Sequence, residues 1–158
     1  MRRSSGSNVG RSVASVLALA LAACGGDGGP TGNGNPPAVA GDYDATFSLT
    51  QATGCQGVIT APDSETGILR VTQAGSSVTL HISDLAEQIA SNTQGTISES
   101  GAFHFDGIVL VDPDPDVEDD EVPATGTIDG TFSGSSLNLA FDFTLATCNV
   151  EGTIVGQR

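Results

Sequence analysis

From Gly41 to Arg158 the chain alternates apolar and polar residues with period two, and no other feature constrains its fold as much. Tyr43, Ala45, Phe47 and Leu49 fall on one parity; Asp42, Asp44, Thr46 and Ser48 fall on the other. Successive side chains of a strand point to opposite faces, so this run reads as a strand with one dry and one wet face. The same reading gives Leu69 and Val71, then Val78, Leu80 and Ile82, then Phe103, Phe105 and an apolar run to Val111. Ile128 and Phe132 follow, then Leu137, Leu139, Phe141, Phe143 and Leu145, and last Val150 and Ile154. Ala74-Gly75-Ser76, Ser100-Gly101 and Ser133-Gly134-Ser135 are short enough for tight hairpins, which predicts antiparallel pairing. The fold class is therefore all-β, a small antiparallel up-and-down barrel of about eight to nine strands. Gly-Thr-Ile or Gly-Thr-Phe recurs at 95, 126, 130 and 152, at irregular spacing that suits strand starts rather than a solenoid repeat. One segment breaks the alternation: residues 83–90 hold helix formers, a capping Ser83, and Leu85 and Ile89 four apart, which predicts at most one short helix near 84–90.

Residues 1–23 have the parts of an export signal. Arg2, Arg3 and Arg11 supply the positive start, and the eleven residues from Val13 to Ala23 are all apolar or small and uncharged. That run is too short for a bilayer span, which needs about 20 residues. It ends Leu21-Ala22-Ala23-Cys24, which resembles the lipobox of bacterial lipoproteins. The resemblance implies cleavage before Cys24, lipidation of Cys24, and the lipid bilayer as a partner. Gly25, rather than Asp, follows the Cys, and by the same resemblance this implies the outer membrane of a bacterial envelope. Residues 24–40 then read as the lipidated Cys and a flexible tether, with six Gly and three Pro between Gly25 and Ala40. A coil of that length reaches roughly 20–24 Å. The barrel domain is residues 41–158.

Charge narrows the partners. All five cations are Arg, against 19 Asp and Glu, for a net charge of −14. Once the signal is removed, Arg70 and Arg158 face all 19 carboxylates, and the net charge falls to −17. Nucleic acid is excluded, because its binding rests on clustered cations. Self-repulsion of this size also favours a soluble monomer.

Cys55 and Cys148 are the cysteines that remain, and export places them where a pair oxidises to a bridge. Cys55 ends the first strand and Cys148 begins the last, so a bridge follows if those strands lie side by side, antiparallel, and close the sheet into a barrel. Partner numbers then sum to 203 at the cysteines, while Tyr43 and Arg158 sum to 201, which allows one bulge between. Closure removes the edge strands that would otherwise aggregate. Gly41-Asp42-Tyr43 at the first strand and Arg158 at the last resemble a lipocalin-like barrel, whose Gly-x-Trp at the base is covered by a basic side chain from the far end of the chain. Tyr43 stands where that family has Trp. The resemblance implies a cap of Arg158 over Tyr43 at the barrel base.

Catalytic chemistry has few candidates. His81 and His104 fall on the polar parity and are expected to face solvent, and no nucleophile elbow, no zinc-binding His-Glu-x-x-His and no free thiol is present. The chain does not read as an enzyme. Between Asp112 and Glu121 lie seven carboxylates in ten residues. Asp112, Asp114, Asp116, Glu118, Asp119 and Asp120 could offer oxygens to Ca²⁺, though Val117 stands where an EF-hand needs Gly; weak calcium binding is the one cofactor considered. The inward residues Phe47, Leu49, Leu80, Phe103, Phe105, Phe132, Phe141 and Phe143 would line a pocket for a small apolar or amphipathic ligand. The alternative is that they fill the barrel, leaving a solid-cored structural or interaction lipoprotein of the envelope.

Overall fold

The computed structural model describes residues 34–55, 59–86, 89–112 and 121–158. Eight strands follow in order: β1 Gly41–Thr53, β2 Asp63–Ala74, β3 Ser77–His81, β4 Thr93–Ile97, β5 Ala102–Val111, β6 Val122–Ser133, β7 Ser136–Leu145 and β8 Cys148–Gln157. Each pairs antiparallel with the next, and β8 returns to β1, so the sheet is a closed up-and-down barrel. The inner face buries Tyr43, Leu69, Leu80, Ile128, Leu139 and Ile154 with no exposed surface. The outer face of β1 carries Asp42, Asp44, Thr46 and Ser48. This apolar-in, polar-out wall is the reverse of a barrel that spans a bilayer with its strands. Among the described residues no helix is long and apolar enough to cross a membrane.

The two ends differ. At one end, here the base, β2–β3 and β6–β7 turn through two-residue loops at Gly75-Ser76 and Gly134-Ser135. Their glycines have φ of 64° and 60°, which a first central Gly supplies without steric cost. The chain's entrance to β1 and its exit from β8 are also at the base. At the other end, the mouth, lie the longer connections β1–β2, β3–β4 and β5–β6.

The β1–β8 seam carries the expected bulge. Asp44 pairs with Gln157 and Leu49 with Gly152, the register shifts between Leu49 and Gln51, and Thr53 pairs with Asn149. Beyond that ladder Cys55, two residues after Thr53, is bridged to Cys148, one residue before Asn149, with Cα atoms 4.4 Å apart.

Two expectations change, and the short helix is met only as a single 3-10 turn. The glycines at 95, 126, 130 and 152 lie within β4, β6 and β8 rather than at their starts. They sit on the inward parity, opposite or beneath aromatic rings. A Cβ at Gly126 would come within 2.7 Å of the Phe143 ring, and Gly126 and Phe143 are direct cross-strand partners. Residues 83–90 form no α-helix among those described: a single 3-10 turn spans Ile82–Asp84, with Leu85 N and Ala86 N both donating to Ile82 O. Ser83 does not cap it, because its hydroxyl is engaged with Asn92. The winning force is burial, since Ile82, Leu85, Ala86 and Ile89 all enter the core. Finally, the tether is not free up to Ala40. Val39 is buried, its amide donates to Gln73 Oε1, and its carbonyl accepts from the Tyr43 hydroxyl at 2.8 Å.

Candidate functional site: the barrel interior and its mouth

The interior is built in two aromatic layers. Near the base, Phe132 meets Tyr43 and Phe103 edge to face, with centroids 6.0 and 5.9 Å apart. Toward the mouth, Phe141 stacks on Phe47 at 4.8 Å and on Phe143 at 5.8 Å. Such pairs add about 0.5–1.5 kcal/mol each beyond the area they bury. Leu49, Leu80 and Phe105 complete the inward set, and all eight pocket residues expected from the sequence face inward and are buried.

Residual exposure is confined to a few inward positions. Tyr43, Leu69, Leu80, Leu139 and Ile154 are at 0%, whereas Phe47, Leu49 and Phe105 keep 8 or 9% of their surface. The base is sealed by Arg158. Its guanidinium carbon lies 5.4 Å from the Tyr43 centroid, and its nitrogens donate to Ala38 O, Ala40 O and Gly134 O at 3.1 Å or less. Burial pushes the Tyr43 hydroxyl above its ordinary pKa, and the nearby Arg158 charge partly opposes that shift.

One stretch of wall is built differently. β4 pairs with β5 only at Thr96–His104 and Ile97–Phe103. Above that point the two strands part, and residues 89–91 take over the β5 flank: Ile89 bridges Val111, Ala90 N donates to Leu110 O, and Leu110 N donates to Ser91 Oγ. Thr93, the first residue of β4, is 1% exposed and is the one buried polar residue among those described. Its Oγ1 has no hydrogen-bond partner. Sequence reading missed it, since Thr93 follows Ser91-Asn92 and looks like loop; the signal was its shared parity with Gly95 and Ile97.

Outside this seam is a shallow depression of about 360 Å³ between Ser77, Gln94, His104 and Asp106. His104 is exposed there, with Nδ1 2.6 Å from Asp129 Oδ1 on the neighbouring strand. His81 departs from expectation: it is half-buried at the end of β3, and its Nε2 has neither solvent nor a partner. Of the calcium candidates, Asp112 ends the β5 segment, while Asp114, Asp116, Glu118, Asp119 and Asp120 lie outside the described residues. Among the described residues no group of three or more His, Cys, Asp or Glu could hold a metal ion. Cys24 and the signal segment also lie outside them.

Comparison with protein-family models, with curated proteins and with solved structures finds no match.

Proposed function

We propose that the chain is a lipoprotein, anchored in the outer membrane through acylated Cys24, whose barrel takes up a small apolar or amphipathic ligand at its mouth. The observation that carries the ligand reading is residual exposure inside a largely apolar barrel: the Tyr43–Arg158 end is capped, while Phe47, Leu49 and Phe105 keep 8 or 9% of their surface. Apolar surface that water still reaches is surface a ligand gains free energy by covering, at about 25 cal/mol per Å². The anchor rests on the basic start, the apolar run and Leu21-Ala22-Ala23-Cys24. Several acyl chains, at about 0.8 kcal/mol per buried methylene, hold a protein where one chain would not.

The competing reading is a solid barrel that acts through its outer face. It is favoured by the stacked Phe47, Phe141 and Phe143 rings, which fill the space over inward glycines. Native mass spectrometry of the protein purified from its own membrane separates the two. A bound adduct of lipid-like mass supports the ligand reading, and a mass accounted for by the acylated chain alone supports the solid barrel. Cys24→Ala tests the anchor: the variant is expected in the soluble fraction, and its recovery with the membrane would overturn lipidation.

A further inference from the structure

Among the described residues, one inward hydroxyl, that of Thr93, is left unused by the fold. Thr93 Oγ1 has no accessible surface and no partner, although burying an unsatisfied hydroxyl is unfavourable and buried polar groups are nearly always paired. Its surroundings differ from the rest of the wall. On one flank Thr93 pairs with Leu80 of β3. On the other it has no strand partner, because the β4–β5 ladder ends at Thr96–His104. Extended upward, that register sets Thr93 opposite Gly107, an inward position with no side chain, against which the Phe105 ring leans. An unpartnered hydroxyl thus stands beside Gly95 and Gly107, over which the Phe103 and Phe105 rings lie, and the Phe105 ring keeps 8% of its surface exposed.

We propose that Thr93 Oγ1 is the contact for the polar head of an uncharged amphiphile, one with a hydroxyl or carbonyl group, whose apolar part lies against Phe47, Phe105 and Phe141. This rests on the ligand-binding reading above and names the class of molecule. A threonine hydroxyl both donates and accepts, so it suits an alcohol or a carbonyl equally. The charge of the chain selects against the obvious alternative. Asp63 and Glu65 begin β2 at the mouth and Glu121 precedes β6 there, within a chain of net charge −14, so a carboxylate head meets a repulsive field.

The test uses the full-length protein, the hydrocarbon fluorophore diphenylhexatriene as a reporter of the interior, and decanol and decanoate as competitors. The expected result is that decanol displaces the fluorophore at lower concentration than decanoate. In Thr93→Val decanol binds about three- to ten-fold more weakly, with the fluorophore's own affinity unchanged, and Thr93→Ser restores decanol binding. Without ligand, Thr93→Val is expected to melt at or above the wild-type temperature, because it removes an unpaired polar atom. If decanol binds Thr93→Val as it binds wild type while the fluorophore binds both, the Thr93 contact is overturned and the ligand-binding reading stands. If Thr93→Val melts well below wild type, the hydroxyl is bonded within the fold and the contact is overturned. If neither fluorophore nor decanol binds the wild-type protein, both readings fall together.

Discussion

Arg158, at the C-terminal end of the barrel, lies over the ring of Tyr43 at the start of β1 and holds three backbone carbonyls at the same time. Two of those carbonyls, Ala38 and Ala40, belong to the segment that leads into β1, and the third, Gly134, belongs to the β6–β7 turn. One side chain therefore joins the beginning, the end and a hairpin of the barrel.

Removal of that side chain is the first prediction. Arg158→Ala is expected to lower unfolding free energy by about 1–2 kcal/mol, the scale of an exposed cation–π contact plus hydrogen bonds that water partly replaces. Arg158→Lys recovers only a part, because an ammonium cannot span the same fork of carbonyls. Denaturant titration at constant m-value reads both.

Alkaline pH should loosen the base. The folded pKa of Tyr43 is raised by burial, so the neutral phenol is the form the fold prefers. Its contribution is fully present below the unfolded value of about 10 and is lost as pH rises through the higher folded value. The ionised oxygen also could not donate to Val39 O. The chain has one Tyr and no Trp, so near-ultraviolet phenolate absorbance reports this group alone. Tyr43→Phe is expected to abolish the absorbance change and to flatten the alkaline fall in stability due to this group.

The Cys55–Cys148 bridge closes a loop of 93 residues. Replacing both residues with Ala should cost about 2–5 kcal/mol, through a freer unfolded chain and through release of the clamp on the mouth end of the native ladder. In hydrogen exchange the loss should be largest at the mouth end of the β1–β8 ladder, near Thr53 and Asn149, and smallest near Asp44 and Gln157. Equal acceleration along the whole ladder would argue against a local clamp.

Inward and turn glycines should respond differently to Ala. At Gly126 a Cβ would overlap the Asp142 carbonyl oxygen and come within 2.7 Å of Phe143, so Gly126→Ala is expected to lose about 1–3 kcal/mol through overpacking. Gly75 has open space around it and a φ of 64°, so Gly75→Ala costs only the left-handed backbone, about 1–2 kcal/mol. Thermal melts rank them, and a crystal structure of Gly126→Ala should show the Phe143 ring displaced.

Much of this architecture is legible in the sequence because period two is a strong signal wherever one face is dry. Phe103 and Phe105, or Leu137 to Leu145, could not face two ways. The sums of 203 at the cysteines and 201 at Tyr43 and Arg158 allowed a bulge; the ladder shifts by one residue between Leu49 and Gln51, and the second offset falls at Gly54, between the ladder's end and Cys55. Other features depend on contacts between distant residues and leave little local trace. Val39 is buried because Gln73 and Tyr43 hold its backbone, and nothing in Pro36-Pro37-Ala38-Val39 announces that. Leu85 and Ile89 have helical spacing, yet they are spent on filling the wall above short strands β3 and β4. Thr93 was invisible as a site residue, since an unpaired hydroxyl is a property of its surroundings.

The way Pro37 to Ala40 are fastened across the base has a mechanical consequence. Gln73, Tyr43 and Arg158 between them bind Pro37 O, Ala38 O, Val39 N, Val39 O and Ala40 O. Tension applied through the leading segment is borne first by these five attachments and reaches β1 only after they break. β1 is then loaded along its length against both β2 and β8, where many bonds resist sliding together instead of peeling one by one.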